Sequence, residues 1–160
     1  MMSGGGSNID HKTVNSFGEE WSHFDQSGVD SQEWDKNFEI YFGIFPWDKV
    51  NDNSHGFDMG CGSGRWAKGV AHRVGRLNCI DPSPKALDVA RKNLSLHNNV
   101  SFHEASVDRV ELAPESQDFG YSLGVLHHIP DTPAALKSCT KLLKPGACLL
   151  YTSPSPRDRG

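Results

Sequence analysis

The stretch HGFDMGCGSGRW, residues 55–66, places three glycines within five positions directly after a short apolar run. Glycine adopts positive φ angles without strain, and it lets a ligand approach the backbone without meeting a Cβ atom. Flexible linkers have a similar glycine- and serine-rich composition. The segments on either side therefore decide whether residues 60–64 form a binding loop or a linker.

Short apolar runs alternate with helical periods along the chain. Strands are indicated at residues 56–59, 77–81, 100–104, 119–125 and 147–151. Strict alternation of strands and helices predicts βαβ units on a parallel sheet with helices on both faces. We therefore expect an α/β fold, a Rossmann-like doubly wound parallel sheet. Ligands of such sheets bind at the carboxyl ends of the strands, which favours a binding loop over a linker.

Apolar residues at helical spacing predict three helices between these strands. Their buried stripes are Trp66, Val70 and Val74, then Leu87, Ala90 and Leu94, then Ala135, Cys139 and Leu142. Ser83-Pro84 and Thr132-Pro133 each provide a capping residue followed by proline, which is typical of a helix start. We expect the second helix to end at Asn98-Asn99, and the third at residues 144–146, Lys-Pro-Gly.

An aromatic-rich segment precedes the sheet. Its helical stripe consists of Trp34, Phe38, Tyr41, Phe42 and Phe45. This stripe predicts a helix that packs on the following domain, with a lid over a substrate pocket as the alternative. We divide the chain into a disordered leader (1–15), an N-terminal helical cap (16–50), a core (51–152) and a polar, proline-interrupted tail of non-native sequence (153–160).

Composition excludes several classes of protein. The 160 residues have a net charge of −4, whereas nucleic-acid-binding domains usually carry a basic excess, so we expect no nucleic-acid partner. No apolar run reaches the roughly 18 to 20 residues of a membrane span, and the N-terminus lacks the apolar core of a secretory signal. A cytoplasmic location is therefore expected. The four cysteines include no C-x-x-C pair, and we assign no metal.

The glycine spacing distinguishes two classes of ligand. The helix start after the loop suits an anionic group, such as a dinucleotide pyrophosphate or the amino-acid end of S-adenosylmethionine. A dinucleotide fingerprint, G-x-G-x-x-G, requires glycine at position 65, but that position is Arg65 and the third glycine is Gly64. Asp81 ends the second strand, where a carboxylate can accept hydrogen bonds from both ribose hydroxyls. A turn or helix-capping aspartate before Pro82 is the alternative.

Three segments together resemble class I S-adenosylmethionine-dependent methyltransferases, in particular the small-molecule branch called type 11. They are DMGCGSG at residues 58–64, Asp81, and DFGYSLGVLHH at residues 118–128. The match covers about residues 55–151 in order and spacing, so it is more specific than any single motif. The resemblance implies an enzyme that transfers a methyl group from S-adenosylmethionine to a small-molecule acceptor. It also implies the class I methyltransferase fold, a seven-stranded sheet whose last strands are missing here, so we expect a C-terminally truncated member of the family.

The resemblance also implies residue roles. The loop passes under the methionine part of the cofactor through Gly60, Cys61, Gly62 and Gly64. Asp58 helps to hold the amino group, Asp81 takes the ribose hydroxyls, and Pro82 and Ser83 lie beside the adenine. The carboxyl end of the fourth strand lines the pocket beneath the transferred methyl group through Ser122, Leu123 and Gly124.

One position departs from the family pattern. An acidic residue after the third strand usually contacts the adenine amino group, but Ser106 occupies that place here. The adenine contact is therefore left to Ser106, the backbone N–H of Val107, or Asp108.

His127 and His128 are the candidates for a catalytic base. A base is needed only if the acceptor must lose a proton, as an oxygen nucleophile does. A structural connection between strand and helix is the alternative for both histidines. Two other functions stay open: a non-catalytic module that binds the cofactor or a partner, and a nicotinamide-dependent oxidoreductase, which Arg65 disfavours.

Overall fold

The computed structural model describes residues 31–123 and 129–152, and five strands lie within these ranges. They are β1 His55–Met59, β2 Arg76–Asp81, β3 Val100–Glu104, β4 Gln117–Ser122 and β5 Leu143–Tyr151. The α-helices are α1 Ser31–Phe42, α2 Ala67–Ala71, α3 Pro84–Asn93 and α4 Thr132–Leu142, and short 3-10 helices cover Trp47–Lys49 and Val107–Arg109. The leader, the first half of the cap (16–30) and the tail lie outside the described residues.

The strands form one parallel sheet in the order β3-β2-β1-β4-β5. The chain proceeds outward from β1 to β3 and then returns to the other side of β1 through β4. The strand order therefore reverses between β1 and β4, the switch point of the sheet, and ligands of open parallel sheets bind outside the carboxyl ends of the strands at such a point. This arrangement confirms the predicted Rossmann-like doubly wound sheet.

Each face of the sheet has its own apolar core. Helices α1, α2 and α3 cover one face, with Phe42, Val70 and Leu87 among the buried residues. Helix α4 covers the other face, where Phe57 and Cys139 are fully buried. Side chains alternate along a strand, so Phe57 faces α4 and the next residue of β1, at position 58, faces the α1–α3 layer.

Two glycines allow β1 and β4 to lie closely together. Gly56 is in register with Phe119, and Phe57 is in register with Gly120. A Cβ atom at Gly56 would lie 2.1 Å from the Phe119 ring, and one at Gly120 would lie 2.2 Å from the Phe57 ring. Each ring thus lies directly over the neighbouring backbone, which fixes the two strands at the switch point.

Helix α1 reaches the segment that follows the glycine-rich stretch. It crosses α2 at Gly69, where a Cβ atom would lie 2.5 Å from Phe38 and 2.6 Å from Trp34. The Trp34 indole N–H donates to the backbone oxygen of Arg65 at 2.8 Å. The aromatic stripe therefore packs on the core as predicted, although Phe45 lies beyond the end of α1 and Tyr41 is partly exposed.

Several element ends differ from the predictions. Helix α4 is capped by Asp131, whose carboxylate accepts the Ala134 N–H at 3.0 Å, rather than by Thr132. Helix α3 ends at Asn93 rather than at Asn98-Asn99. Asn99 instead donates to two backbone oxygens of the α2–β2 segment, at 2.7 and 3.0 Å, and so anchors the start of β3.

The last two strands also have different limits. Strand β4 covers Gln117–Ser122, earlier than the expected 119–125, and residues 124 and 125 lie outside the described part of the chain. Strand β5 begins at Leu143, so Lys144, Pro145 and Gly146 belong to the strand instead of preceding it. Pro145 is tolerated because β5 is an edge strand in the described sheet, where a missing N–H breaks no pairing. The register shifts opposite it, between Gln117 and Phe119.

Candidate functional site

The loop after β1 follows a conformation that only glycine adopts readily. Gly60, Gly62 and Gly64 have φ angles of 79°, 54° and 79°. The N–H groups of Gly60 and Cys61 both donate to the backbone oxygen of Ile80, at 2.7 and 3.0 Å. These bonds tie the start of the loop to β2, so the loop is anchored to the sheet at the switch point.

The far end of the loop packs against α3. A Cβ atom at Gly64 would lie 2.8 Å from the Leu94 side chain, so glycine is needed there for packing as well as for its φ angle. The Asn93 side chain donates to the backbone oxygen of Ser63 at 3.0 Å. Helix α3 therefore holds the loop from one side, while β2 holds it from the other.

Asp81 connects the loop to the start of α3. One carboxylate oxygen accepts the Gly62 N–H at 3.0 Å, and the other accepts the Ser83 N–H at 2.9 Å. Burial raises the pKa of Asp81, and these two backbone bonds counteract part of that rise. Each carboxylate oxygen can still accept a second hydrogen bond. Asp81 thus anchors the turn before α3, which is the alternative role that the sequence indicated, and its carboxylate can still accept hydrogen bonds from a ligand.

The residues after Asp81 divide between structure and surface. The Ser83 hydroxyl is buried and caps α3 by accepting the Ala86 N–H at 3.2 Å. Its side chain is therefore engaged in the helix start. Pro82 is half-buried between Asp81 and this cap, on the carboxyl side of the sheet.

Asp58 is a carboxyl group buried without a cation. It lies on β1, is only 3% exposed, and has no lysine or arginine partner among the described residues, whose two ion pairs are Arg91–Asp88 and Lys144–Asp118. Burial raises the pKa of Asp58 to about 7; the negative charge of Asp81 adds to the rise and Tyr121 opposes it. A cationic group of a ligand would supply the missing partner.

Two buried thiols lie next to each other, Cys61 within the loop and Cys79 on β2. The pKa of Cys61 is raised well above its ordinary value by a hydrogen bond with Cys79 and by burial. The pKa of Cys79 is lowered by that bond but raised by burial and by Asp58 and Asp81, and it is raised on balance. Both groups are therefore neutral thiols that fill space, and they are not nucleophiles.

The segment after β3 brings the three candidates for the adenine contact together. Ser106 is buried, and its hydroxyl donates to the Asp108 carboxylate at 2.9 Å. Val107 is buried, while Asp108 is exposed. The Ala105 N–H donates to the backbone oxygen of Asp81 at 3.1 Å, which places this segment beside the end of β2.

Ser122 closes β4 against β1. Its hydroxyl is fully buried and donates to the backbone oxygen of Met59 at 2.7 Å. Leu123 is half-buried and packs against the core on the α1–α3 side. Gly124, His127 and His128 lie outside the described residues.

Unpartnered polar atoms surround the loop. Among the described residues, three buried side-chain atoms have no hydrogen-bond partner: the Ser63 hydroxyl, Nε of Arg65 and the Tyr121 hydroxyl. Native structures leave few such atoms, and each requires an explanation. All three lie in the loop, directly after it, or on the strand beside it, so a polar ligand seated on the loop fits this arrangement. No group of three potential metal ligands occurs in the described ranges.

Sequence reasoning missed Tyr121, Asn93 and Trp34 as parts of this site. Tyr121 is in register with Asp58 and fully buried. A tyrosine inside a buried strand next to the loop was the available signal, because a buried phenol normally requires a polar partner. Asn93 and Trp34 act through backbone oxygens of the loop region, which no spacing pattern in the sequence indicates.

An open parallel sheet with an anchored glycine loop and two acids at its switch point defines a nucleotide-cofactor-binding α/β domain. Residues 57–151 match the family described as "Methyltransferase domain". The chain belongs to this family, the class I S-adenosylmethionine-dependent methyltransferases, as the sequence resemblance indicated.

Individual relatives agree with this assignment. The chain is 34% identical to a ubiquinone biosynthesis O-methyltransferase of Alkalilimnicola ehrlichii over 98 residues, which cover 60% of this chain and 40% of that protein. It is 27% identical to the Idiomarina loihiensis protein of the same description over 143 residues, 79% of this chain and 57% of that one. The chain thus spans about half the length of these curated relatives.

A solved structure has the same fold. The N-methyltransferase NodS from Bradyrhizobium japonicum, determined in complex with S-adenosyl-L-homocysteine, superposes with a TM-score of 0.70 at 21% identity. The match covers 87% of this chain and 71% of NodS. None of the described helices is long and apolar enough to cross a bilayer.

Proposed function

We propose that this chain is the S-adenosylmethionine-binding part of a methyltransferase that acts on a small-molecule acceptor. The observation that carries the proposal is the pairing of the anchored glycine loop with a buried carboxyl group, Asp58, that has no cation among the described residues. A methionine-derived cofactor has an ammonium group that would meet this carboxylate. The relatives named ubiquinone biosynthesis O-methyltransferase support the reaction class.

Each side chain then has a separate task. Asp58 receives the ammonium group, the Gly62 and Gly64 backbone allows close approach, and the free lone pairs of Asp81 accept from the ribose hydroxyls. Ser106 or its neighbours Val107 and Asp108 would contact the adenine. The Ser122–Gly124 segment would line the pocket under the reacting carbon.

The cofactor supplies a methyl group that is already activated by a sulfonium, so the main task of the protein is alignment. Orientation of two reactants alone can contribute about 7 to 11 kcal/mol to lowering a barrier. A hydroxyl acceptor must also lose a proton, and His127 and His128 are the proposed candidates for that base. We also propose that the protein acts in the cytoplasm, because its four free thiols suit a reducing compartment.

Isothermal titration calorimetry with S-adenosylhomocysteine, S-adenosylmethionine and NAD tests the proposal. We expect saturable binding of both sulfur compounds and none of NAD. Binding of NAD alone would overturn the proposal in favour of an oxidoreductase. Methyl transfer from labelled cofactor to small hydroxyl-bearing compounds, measured on this chain and on a longer relative, separates an enzyme from a module that only binds.

A further inference from the structure

Tyr121 is the least explained polar residue of the site. It is fully buried, and its hydroxyl has no partner in hydrogen-bond geometry among the described residues. The Phe42 ring packs edge-on against it, with centroids 5.1 Å apart and planes at 82°. Phe42 is itself 1% exposed, so the tyrosine ring is held in one orientation.

The register of the sheet places this ring beside Asp58. Asp58 and Tyr121 are directly paired across β1 and β4, so both side chains leave the same face of the sheet. Each group perturbs the ionisation of the other: Tyr121 lowers the pKa of Asp58, while burial and the Asp58 charge raise the pKa of Tyr121 well above its ordinary value. The phenol therefore stays protonated and can only donate toward this carboxylate.

The other titratable groups around Asp58 do not stabilise its charge. On β2, Cys79 is the register partner of Asp58, and Asp81 adds a second negative charge. In the loop, Cys61 is a neutral thiol and offers no positive charge. Helix α1 contributes the apolar Phe42. Within the described residues, Tyr121 is thus the single side chain that favours the charged form of Asp58.

We propose that Tyr121 is a positioning residue for the ammonium group of the ligand: a small rotation of the neighbouring Asp58 carboxylate brings it to the unpartnered Tyr121 hydroxyl, which then donates to it and orients it toward the glycine loop. The inference rests on the proposed function, since it assigns to Asp58 a cationic ligand group. A hydrogen bond to a charged carboxylate counteracts the burial that would otherwise keep the acid neutral. Near neutral pH, binding of the ammonium group then releases the proton that remains on part of the Asp58 population.

The first test uses the free protein and requires no ligand. The Asp58 carboxyl is followed by ¹³C NMR from pH 4 to 9 in the wild type and in Tyr121→Phe, which keeps the ring and removes only the unpartnered hydroxyl. We expect the midpoint to rise by about one pH unit in the variant, because the donor that favours the charged form is lost. An unchanged or lower midpoint would overturn the proposal.

The second test measures S-adenosylhomocysteine affinity by calorimetry across the same pH range. If the titration midpoint of Asp58 rises by one pH unit, we expect Tyr121→Phe to bind up to about tenfold more weakly than the wild type at pH 6. At pH 9 its affinity should be within about twofold of the wild type. A purely structural defect would weaken binding equally at every pH, and that outcome contradicts the proposal. Tyr41→Phe, at a partly exposed tyrosine that contacts Trp66, is the matched control and should leave the profile unchanged.

The two tests separate this inference from the proposed function. If the wild type binds no S-adenosyl compound at any pH, the proposed function fails, while the NMR midpoints still report whether Tyr121 acts on Asp58. If binding occurs and the midpoint does not move, the function stands and the positioning role is wrong.

Discussion

The two ends of the sheet shift the pKa values of their acidic residues in opposite directions. At the amino end, Asp118 accepts the His55 N–H at 2.8 Å and pairs with Lys144 at 2.9 Å. Burial acts to raise the pKa of Asp118, but these partners outweigh it and the pKa is lowered. At the carboxyl end, Asp58 has no cation among the described residues, and its pKa is raised to about 7.

This difference separates a structural carboxylate, Asp118, from Asp58, which receives the ammonium group of the ligand in the proposed function. At the amino end, the charge of Asp118 is stabilised by the His55 N–H and by Lys144, so this charge contributes to the stability of the fold. The carboxyl end keeps a buried acid without a cation and unpartnered buried polar atoms, both of which cost folding free energy. Substitutions at the amino end should therefore affect stability, whereas those at the carboxyl end should affect ligand binding and can even increase stability.

The largest expected effect comes from Gly62→Val. Position 62 has a φ angle of 54°, where a β-branched residue is strained, and its N–H is bonded to Asp81. We expect no detectable binding of S-adenosylhomocysteine by calorimetry. Gly146→Val is the matched control at the amino end, because Gly146 has a φ angle of 81° but open space around its Cβ position. If both variants bind alike, the close-approach argument for the loop is wrong.

Asp58→Asn should stabilise the protein at alkaline pH. An acid whose pKa is raised from 3.8 to about 7 in the folded state is penalised once it ionises, so its contribution falls as the pH rises from about 4 to 7. At pH 8, we expect the variant to gain up to about 4 kcal/mol of unfolding free energy over the wild type. The gain should vanish near pH 4.

Urea unfolding at both pH values provides the measurement, with Asp88→Asn on the exposed face of α3 as the control. The same Asp58→Asn protein should bind S-adenosylhomocysteine more weakly. A variant that is less stable at pH 8 would show that favourable interactions of the wild-type carboxylate outweigh the cost of burying its charge.

The general architecture could be predicted from the sequence because its signals are local. The loop stands out through Gly60, Gly62 and Gly64, and the capping pair Ser83-Pro84 marks the start of α3, which the structure confirms. The limits of β5 could not be predicted in this way. Pro145 normally ends a strand, but an edge position tolerates it, and edge positions are set by the order of the strands.

The state of the site also depends on tertiary structure. The sequence places Asp58 and Tyr121 63 residues apart, and only the pairing of β1 with β4 brings them together. Whether a carboxyl group is buried without a cation depends on every element packed around it, so no spacing pattern reports it. The hydrogen bonds of Asp81 to both Gly62 and Ser83 are likewise a property of the fold.

Asp81→Ala should weaken S-adenosylhomocysteine binding by about 2 kcal/mol or more, since charge-assisted hydrogen bonds to the ribose and the anchor of the Gly62 N–H are lost together. Ser83→Ala removes only the cap of α3 and should leave affinity within about twofold of the wild type. Calorimetry on both variants gives the comparison. Equal losses of affinity in the two variants would indicate that Asp81 acts by stabilising the start of α3 and not by contacting the ligand.

The smallest effect is expected at the amino end, from Asp118→Ala. Its partner Lys144 is 51% exposed, and exposed ion pairs contribute about 0.2 to 1 kcal/mol, to which the bond from the His55 N–H adds about 1 kcal/mol. We expect a loss of about 1 to 2 kcal/mol of unfolding free energy at pH 7 in urea titrations. Because the folded pKa of Asp118 is lowered, this contribution is present above about pH 4 and is lost as the pH falls through the folded pKa.

Ligand affinity of Asp118→Ala should stay unchanged, since the pair of Asp118 and Lys144 lies at the opposite end of the strands from the loop. A drop in affinity without a drop in stability would contradict the division between the two ends. Lys144→Met should reproduce only the ion-pair part of the loss, because it leaves the bond between Asp118 and the His55 N–H intact.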